Sequence, residues 1–85
     1  MAGAFQSMQF SRVLWACRRG MLELDLLLGR YAREVYLELE ESKQNQFDLL
    51  LKQEDQQLFD WFMGKKEPKV EFVNLIQEIQ HYAQS

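Results

Sequence analysis

Apolar side chains recur along this 85-residue chain at intervals of three and four, and no stretch alternates for long enough to suggest a strand. The spacing predicts a first helix from Ser11 to about Arg19. Ser11 is its N-cap, Phe10 stands before it as a staple residue, and Phe10, Val13, Leu14 and Cys17 gather toward the core. A second helix runs from about Leu22 to Tyr36. Ser42 is suited to cap a third, with Phe47, Leu50 and Leu51 on one side, and Asp55 to cap a short fourth carrying Leu58, Phe59, Trp61 and Phe62. Gly64 to Pro68 reads as a loop, and the final helix holds the stripe Phe72, Leu75, Ile76, Ile79 and Ala83. The expected architecture is all-α: a small single-domain bundle of about five helices over residues 10–85, preceded by a flexible N-terminus at 1–9.

Two of these helices carry more pattern than a core requires. On the second, Leu24, Leu28, Tyr31 and Val35 form the core stripe, while Glu23, Arg30 and Glu34 form a solvated side. Leu22, Leu26 and Gly29 make a further apolar sector, so this helix is either surrounded by its neighbours or touches something outside the chain. Asp25 borders that sector; if buried it needs a donor, and the backbone or an arginine of the first helix is nearest. On the first helix, Arg12, Trp15 and Arg19 fall at i, i+3 and i+7 away from the core. A tryptophan among arginines is either covered by cation–π stacking or held out as an interface anchor.

Composition removes several function classes. Thirteen acidic residues against ten basic ones argue against nucleic acid as the main partner. One cysteine excludes an internal disulfide and a cysteine metal cluster, and points to a reducing compartment. The first seven residues carry no positive charge, unlike a secretory signal, and no apolar run approaches the roughly 20 residues of a membrane helix. A cytoplasmic protein without a membrane role is expected. Catalytic groups are also lacking: Cys17 faces the core, His81 is the sole histidine, and Glu23 and Asp25, two apart on a helix, point to different sides.

The most concentrated chemistry lies in Cys17-Arg18-Arg19-Gly20-Met21-Leu22-Glu23-Leu24-Asp25. Arginines at the end of one helix and carboxylates at the start of the next suit the helix dipoles, with Gly20 in a left-handed turn between them. Such a corner serves either to cap the two helices or to present opposite charges to a partner.

Arg19-Gly20-x-x-Glu23, followed by Asp25-Leu-Leu-Leu28, resembles the signature of the bacterial SdhE/YgfY-like succinate dehydrogenase assembly factors, or flavinylation factors. Asp55-Gln-Gln-Leu-Phe-Asp-Trp-Phe62 is similar to that family's second, acidic–aromatic signature. The likeness covers about Phe10 to Ile79; Glu41-Ser42-Lys43-Gln44-Asn45 departs from the family's usual acidic helix start. It implies a non-enzymatic chaperone that binds the flavoprotein subunit of succinate dehydrogenase, and of fumarate reductase, while FAD is joined covalently to a histidine of that client. No cofactor is expected to stay on the chain itself. By position the resemblance puts Arg19, Gly20, Glu23 and Asp25 on the partner-binding surface, and the residue pattern adds Arg12 and Trp15. The free chain is expected to be a monomer, with a Trp15 face able to pair weakly with itself. The alternative within the same resemblance is an antitoxin-like protein that antagonises a partner toxin by binding it.

Overall fold

Leu24, Leu28 and Ala32 have no exposure to solvent, because the helix that carries them lies inside the bundle. The computed structural model describes the backbone of residues 2–84 and the side chains of residues 9–84. In chain order the elements are α1 (Ala2–Ala16), α2 (Leu22–Val35), a 3₁₀ turn (Tyr36–Glu38), α3 (Glu41–Leu50), α4 (Asp55–Phe62), a second 3₁₀ turn (Val70–Phe72) and α5 (Val73–Ala83). These five α-helices include no strand among the described residues, as the periodicity predicts. None of them is long and apolar enough to cross a membrane.

Helix α2 packs against α1, α4 and α5, and the expected core stripes face it. Val13 and Cys17 come from α1 and its end, Phe47, Leu50 and Leu51 from α3, Leu58, Trp61 and Phe62 from α4, and Leu75, Ile76 and Ile79 from α5. Aromatic rings fill the space a short chain cannot fill with more residues. Phe47 lies between Tyr31 and Tyr36 at ring separations of 5.6 and 5.8 Å, and Phe10 stacks on Tyr36 at 6.4 Å. Buried hydroxyls keep partners: Tyr36 donates to Asp48 at 3.1 Å, and Tyr31 to Glu78 at 3.4 Å. Burial pushes the Tyr31 phenol up to about 12, with Glu78 adding to the shift.

Helix ends differ from the sequence expectation more than helix faces do. Helix α1 begins at Ala2, so Ser11 lies inside it rather than capping it, and the expected N-terminal tail is helical from Ala2 on; Met1 is outside the described residues. Apart from Gly3, that stretch is composed largely of residues that accept a helix readily. Helix α3 starts one residue before Ser42, and Glu40 stands at its N-cap without a side-chain bond. Acidic residues at 40 and 41 favour that end through the helix dipole instead. Helix α4 starts at Asp55 itself, with Glu54 at the cap position, so Asp55 is free to use its carboxylate elsewhere.

The clearest local terminator follows α4. Gly64 has φ of 75°, the only positive φ among the described residues. Lys65 N–H donates to Asp60 O at 2.8 Å and Gly64 N–H to Trp61 O at 3.4 Å, the paired bonds of a Schellman turn. Gly20, expected to be left-handed, is not. A Cβ there would meet nothing closer than Asp55 Oδ2 at 3.7 Å, an ordinary contact. We therefore expect Gly64→Ala to lower stability by about 1–2 kcal/mol through left-handed strain, while Gly20→Ala stays near wild type. Urea unfolding of the two variants checks this contrast, and equal losses would contradict it.

Candidate functional site

The corner between α1 and α2 is built around Arg19. Helix α1 closes with a tightened turn, Cys17 N–H bonding Val13 O and Leu14 O, and Arg18 N–H bonding Trp15 O at 3.0 Å. Arg19 lies in the connection beyond α1, and its backbone N–H donates to Asp25 Oδ1 in the first turn of α2. Asp25 thus finds the donor its position required, on the backbone at the end of the first helix. Met21, the N-cap of α2, makes no side-chain bond, so Glu23 and Asp25 supply the negative charge that this helix end favours.

The Arg19 side chain turns inward and is 13% exposed. Its Nη1 lies 3.2 Å from Asp55 Oδ1 and 3.5 Å from Gln53 O, and Nη2 donates to Leu51 O. Leu51 and Gln53 carry carbonyls at the end of α3, and Asp55 opens α4. One guanidinium therefore covers the negative end of one helix and pairs with the acidic start of the next. Asp55 Oδ2 also accepts Gly20 N–H at 3.2 Å. The first sequence signature is tied to the second through this carboxylate, a link the sequence reading missed by treating Asp55 as a cap. Arg19 Nε is buried without a partner.

Of the candidate residues, Arg19 and Asp25 are engaged within the chain, whereas Glu23, Arg12, Trp15 and Gly20 are exposed. Glu23 forms no hydrogen bond or ion pair among the described residues. The expected Arg12–Trp15–Arg19 stack does not form. Helix α1 ends at Ala16, so Arg19 leaves the helical register, and Arg18 lies over the Trp15 ring at 5.4 Å instead. Arg12 borders a different depression of about 530 Å³ between α1 and α3, opposite Asp48 and Lys52. Burial raises the Asp48 carboxyl above its ordinary range there.

The further apolar sector of α2 stays open although that helix is central. Trp15, Leu22 and Leu26 are 72%, 68% and 60% exposed and border one groove. This groove, of about 480 Å³, runs between α1 and α2, with Arg18 and Arg33 on its rim and Gly29 within it. Leu26 also borders a second hollow beside Glu23, Met63 and Tyr82. Arg18 was legible in principle, being three residues from Trp15 on a helical turn. The exposure of Leu22 and Leu26 depends on which neighbours cover α2, which periodicity does not state.

No reactive group completes the site. Cys17 is buried, its thiol 3.5 Å from Leu28 O, and burial pushes its pKa up to about 12 despite the nearby Arg19 and Arg33. Among the described residues no three His, Cys, Asp or Glu side chains gather as a metal site. The corner holds a shape, through Arg19, Asp25 and Asp55, and presents a surface.

Two outcomes follow. Asp55→Ala removes the acceptor of both Arg19 and Gly20 and should lower stability by about 1–3 kcal/mol, as for bonds to charged groups. Asp55→Asn, which keeps an acceptor, should lose less in the same urea titration. Because the Cys17 pKa is raised by folding, its protonated form stabilises the fold below the unfolded value of about 9. That contribution is lost as pH rises from there toward about 12. At pH about 8 a thiol reagent should leave the folded protein unlabelled and react fully in denaturant; rapid labelling of the folded chain would contradict the burial argument.

Comparison with known proteins bears on the same corner. The family described as flavinator of succinate dehydrogenase matches residues 11–83. The FAD assembly factor SdhE of Legionella pneumophila (strain Paris) is 44% identical over 71 residues, covering 84% of this chain and 90% of the relative. Its namesake in Coxiella burnetii is 43% identical over 70 residues, 81% of this chain and 85% of the relative. That of Pseudomonas aeruginosa is 48% identical over 61 residues, covering 72% and 73%. With the α1–α2 corner and the Asp55 segment both inside the matched region, the chain belongs to the family of succinate dehydrogenase flavinators.

Proposed function

We propose that this protein is an assembly factor that binds the flavoprotein subunit of succinate dehydrogenase and promotes covalent attachment of FAD to it. The flavoprotein of fumarate reductase is a second client of the same kind, and the cytoplasm is where the encounter takes place. Membership of the flavinator family across residues 11–83 is the observation that carries this reading. The geometry supports it: exposed apolar side chains and an unpaired Glu23 stand beside a corner held rigid by Arg19 and Asp55.

The described residues hold no catalytic constellation, so the chain acts by binding and alignment. FAD belongs to the client, and the bond to it forms between client residue and flavin. Holding two reacting groups in the attacking geometry removes much of the entropic part of a barrier. A helper able to hold its client that way needs rigidity and a complementary surface. Arg19, Asp25 and Gly20 serve this role from within, setting the angle between α1 and α2. Glu23 and Trp15 serve it from outside, as contacts to the client, and Arg12 extends the surface along α1. Glu23 is placed to accept from an arginine or amide of the flavoprotein.

Glu23→Ala should leave the fold intact, since the side chain is exposed and makes no internal bond, yet reduce covalent flavin on the client. The measurement is in-gel flavin fluorescence of the denatured flavoprotein from cells lacking this gene, complemented with wild type or with Glu23→Ala. Fluorescence lost on deletion, restored by wild type and poorly restored by the folded variant is the expected pattern. Unchanged covalent flavin in every strain would overturn the assignment.

A further inference from the structure

The charge of this chain is segregated. All five arginines lie between residues 12 and 33, where only two carboxylates, Glu23 and Asp25, oppose them. All five lysines and the other eleven carboxylates follow. A chain of net charge −3 thus has a cationic beginning and a strongly anionic remainder. Folding consumes part of the cationic end. Arg19 is taken by Asp55 and the end of α3, and Arg30 pairs with Glu34 and covers the Tyr82 ring. Asp25 in turn accepts the Arg19 N–H. Arg12, Arg18 and Arg33 are left exposed, and none of them forms an ion pair among the described residues.

Two of these three stand on the rim of the groove between α1 and α2. The groove also holds the most exposed large apolar side chains of the two helices among the described residues, Trp15, Leu22 and Leu26. Gly29 contributes to the arrangement by lacking a side chain: a Cβ there would stand 3.1 Å from Arg33 Nη1, so the guanidinium lies close against the helix. Asp25 also lines the groove, its Oδ1 taken by the Arg19 N–H. A cleft of apolar side chains with two guanidinium groups free of ion pairs at its edges is complementary to a segment of opposite charge that also carries an apolar anchor.

We propose that this groove docks a segment of the flavoprotein client in which carboxylates flank a bulky apolar side chain. The apolar side chain seats against Trp15, Leu22 and Leu26, and the carboxylates pair with Arg18 and Arg33. The anionic remainder of the chain repels the same segment, so charge both attracts the client and orients it on one face. This inference rests on the reading that the chain binds a flavoprotein, and adds which chemistry of that partner it recognises.

The test is calorimetric titration of the purified, FAD-free flavoprotein subunit of succinate dehydrogenase with the full chain, at about 50 and about 300 mM NaCl. Four variants are compared: Arg18→Glu with Arg33→Glu, Arg18→Ala with Arg33→Ala, Trp15→Ala, and Lys65→Glu with Lys66→Glu as a control of equal charge change at residues that do not line the groove. Circular dichroism and urea midpoints establish that each is folded; should the reversal variant fail to fold, the alanine pair carries the test. We expect the arginine reversal to weaken binding about 100-fold at low salt and to remove most of its salt dependence. Trp15→Ala should weaken binding about tenfold while leaving the salt dependence in place. Arginine variants that bind as the lysine control does overturn the proposal while the assembly role stands. If wild type does not bind the flavoprotein at all, the functional reading falls and this proposal with it. A parallel titration with free FAD covers the remaining occupant: FAD binding that the arginine variants abolish would assign the groove to the cofactor's phosphates and overturn the peptide reading.

Discussion

Four segments of this protein meet at one residue, Arg19. Arg19 follows α1 by three residues, its N–H engages the start of α2, and its side chain reaches the end of α3 and the start of α4. A charge so far withdrawn from water is costly unless its donors are used. Here the acceptors are an ionised carboxylate and helix-terminal carbonyls, both of which are themselves short of donors. The arrangement is mutual. Without Arg19 the end of α3 and Asp55 would turn to solvent, and without them Arg19 would have no reason to turn inward. Because the turn between α1 and α2 hangs on the same residue, the angle between those helices is set by contacts on the opposite side of the corner.

That inward turn decides what the outside looks like. Had Arg19 continued the helical register, it would have covered Trp15 as the spacing suggests. Instead the last turn of α1 tightens, Arg18 takes the place over the indole, and the groove beside α2 opens toward Leu22 and Leu26. The residues of the signature from Arg19 to Asp25 therefore divide into two kinds. Arg19 and Asp25 determine the corner, while Glu23 is displayed by it. Internal engagement and exposure to solvent are thus shared out among different residues of one motif.

The buried faces were legible because they depend on a period, and a period survives any arrangement of neighbours. Leu24, Leu28 and Tyr31 could belong only to a core stripe, and Phe72, Leu75, Ile76 and Ile79 likewise. Helix ends were less legible because the cap rule is local, whereas the carboxylate best suited to capping, Asp55, found stronger partners thirty-five and thirty-six residues away. Ser11 and Ser42 were read as caps for the same local reason, yet neither stands at a helix start. Gly20 was misjudged similarly: a glycine between two helices suggests a left-handed turn, but the backbone there is held by Asp55, and the true left-handed glycine is Gly64. Of the candidate site, the position of the corner was legible and the direction of its side chains was not, since direction follows from tertiary partners.

A domain of this size has few apolar residues to spare, which makes those exposed at the groove informative. Trp15, Leu22 and Leu26 would add to stability if turned inward, and each would be replaceable by a polar residue at little cost if the face met only water. Their exposure at the surface, beside arginines that form no internal ion pair, is better matched to burial against another protein than to folding of this one. The internal ion pair supports that use. By fixing the corner through charge–dipole contacts rather than through more apolar packing, the fold leaves its remaining apolar side chains for the outside. On the proposed reading, stability and recognition draw on separate residues around the α1–α2 corner, so that a substitution at Arg19 or Asp55 and one at Glu23 or Trp15 have different consequences.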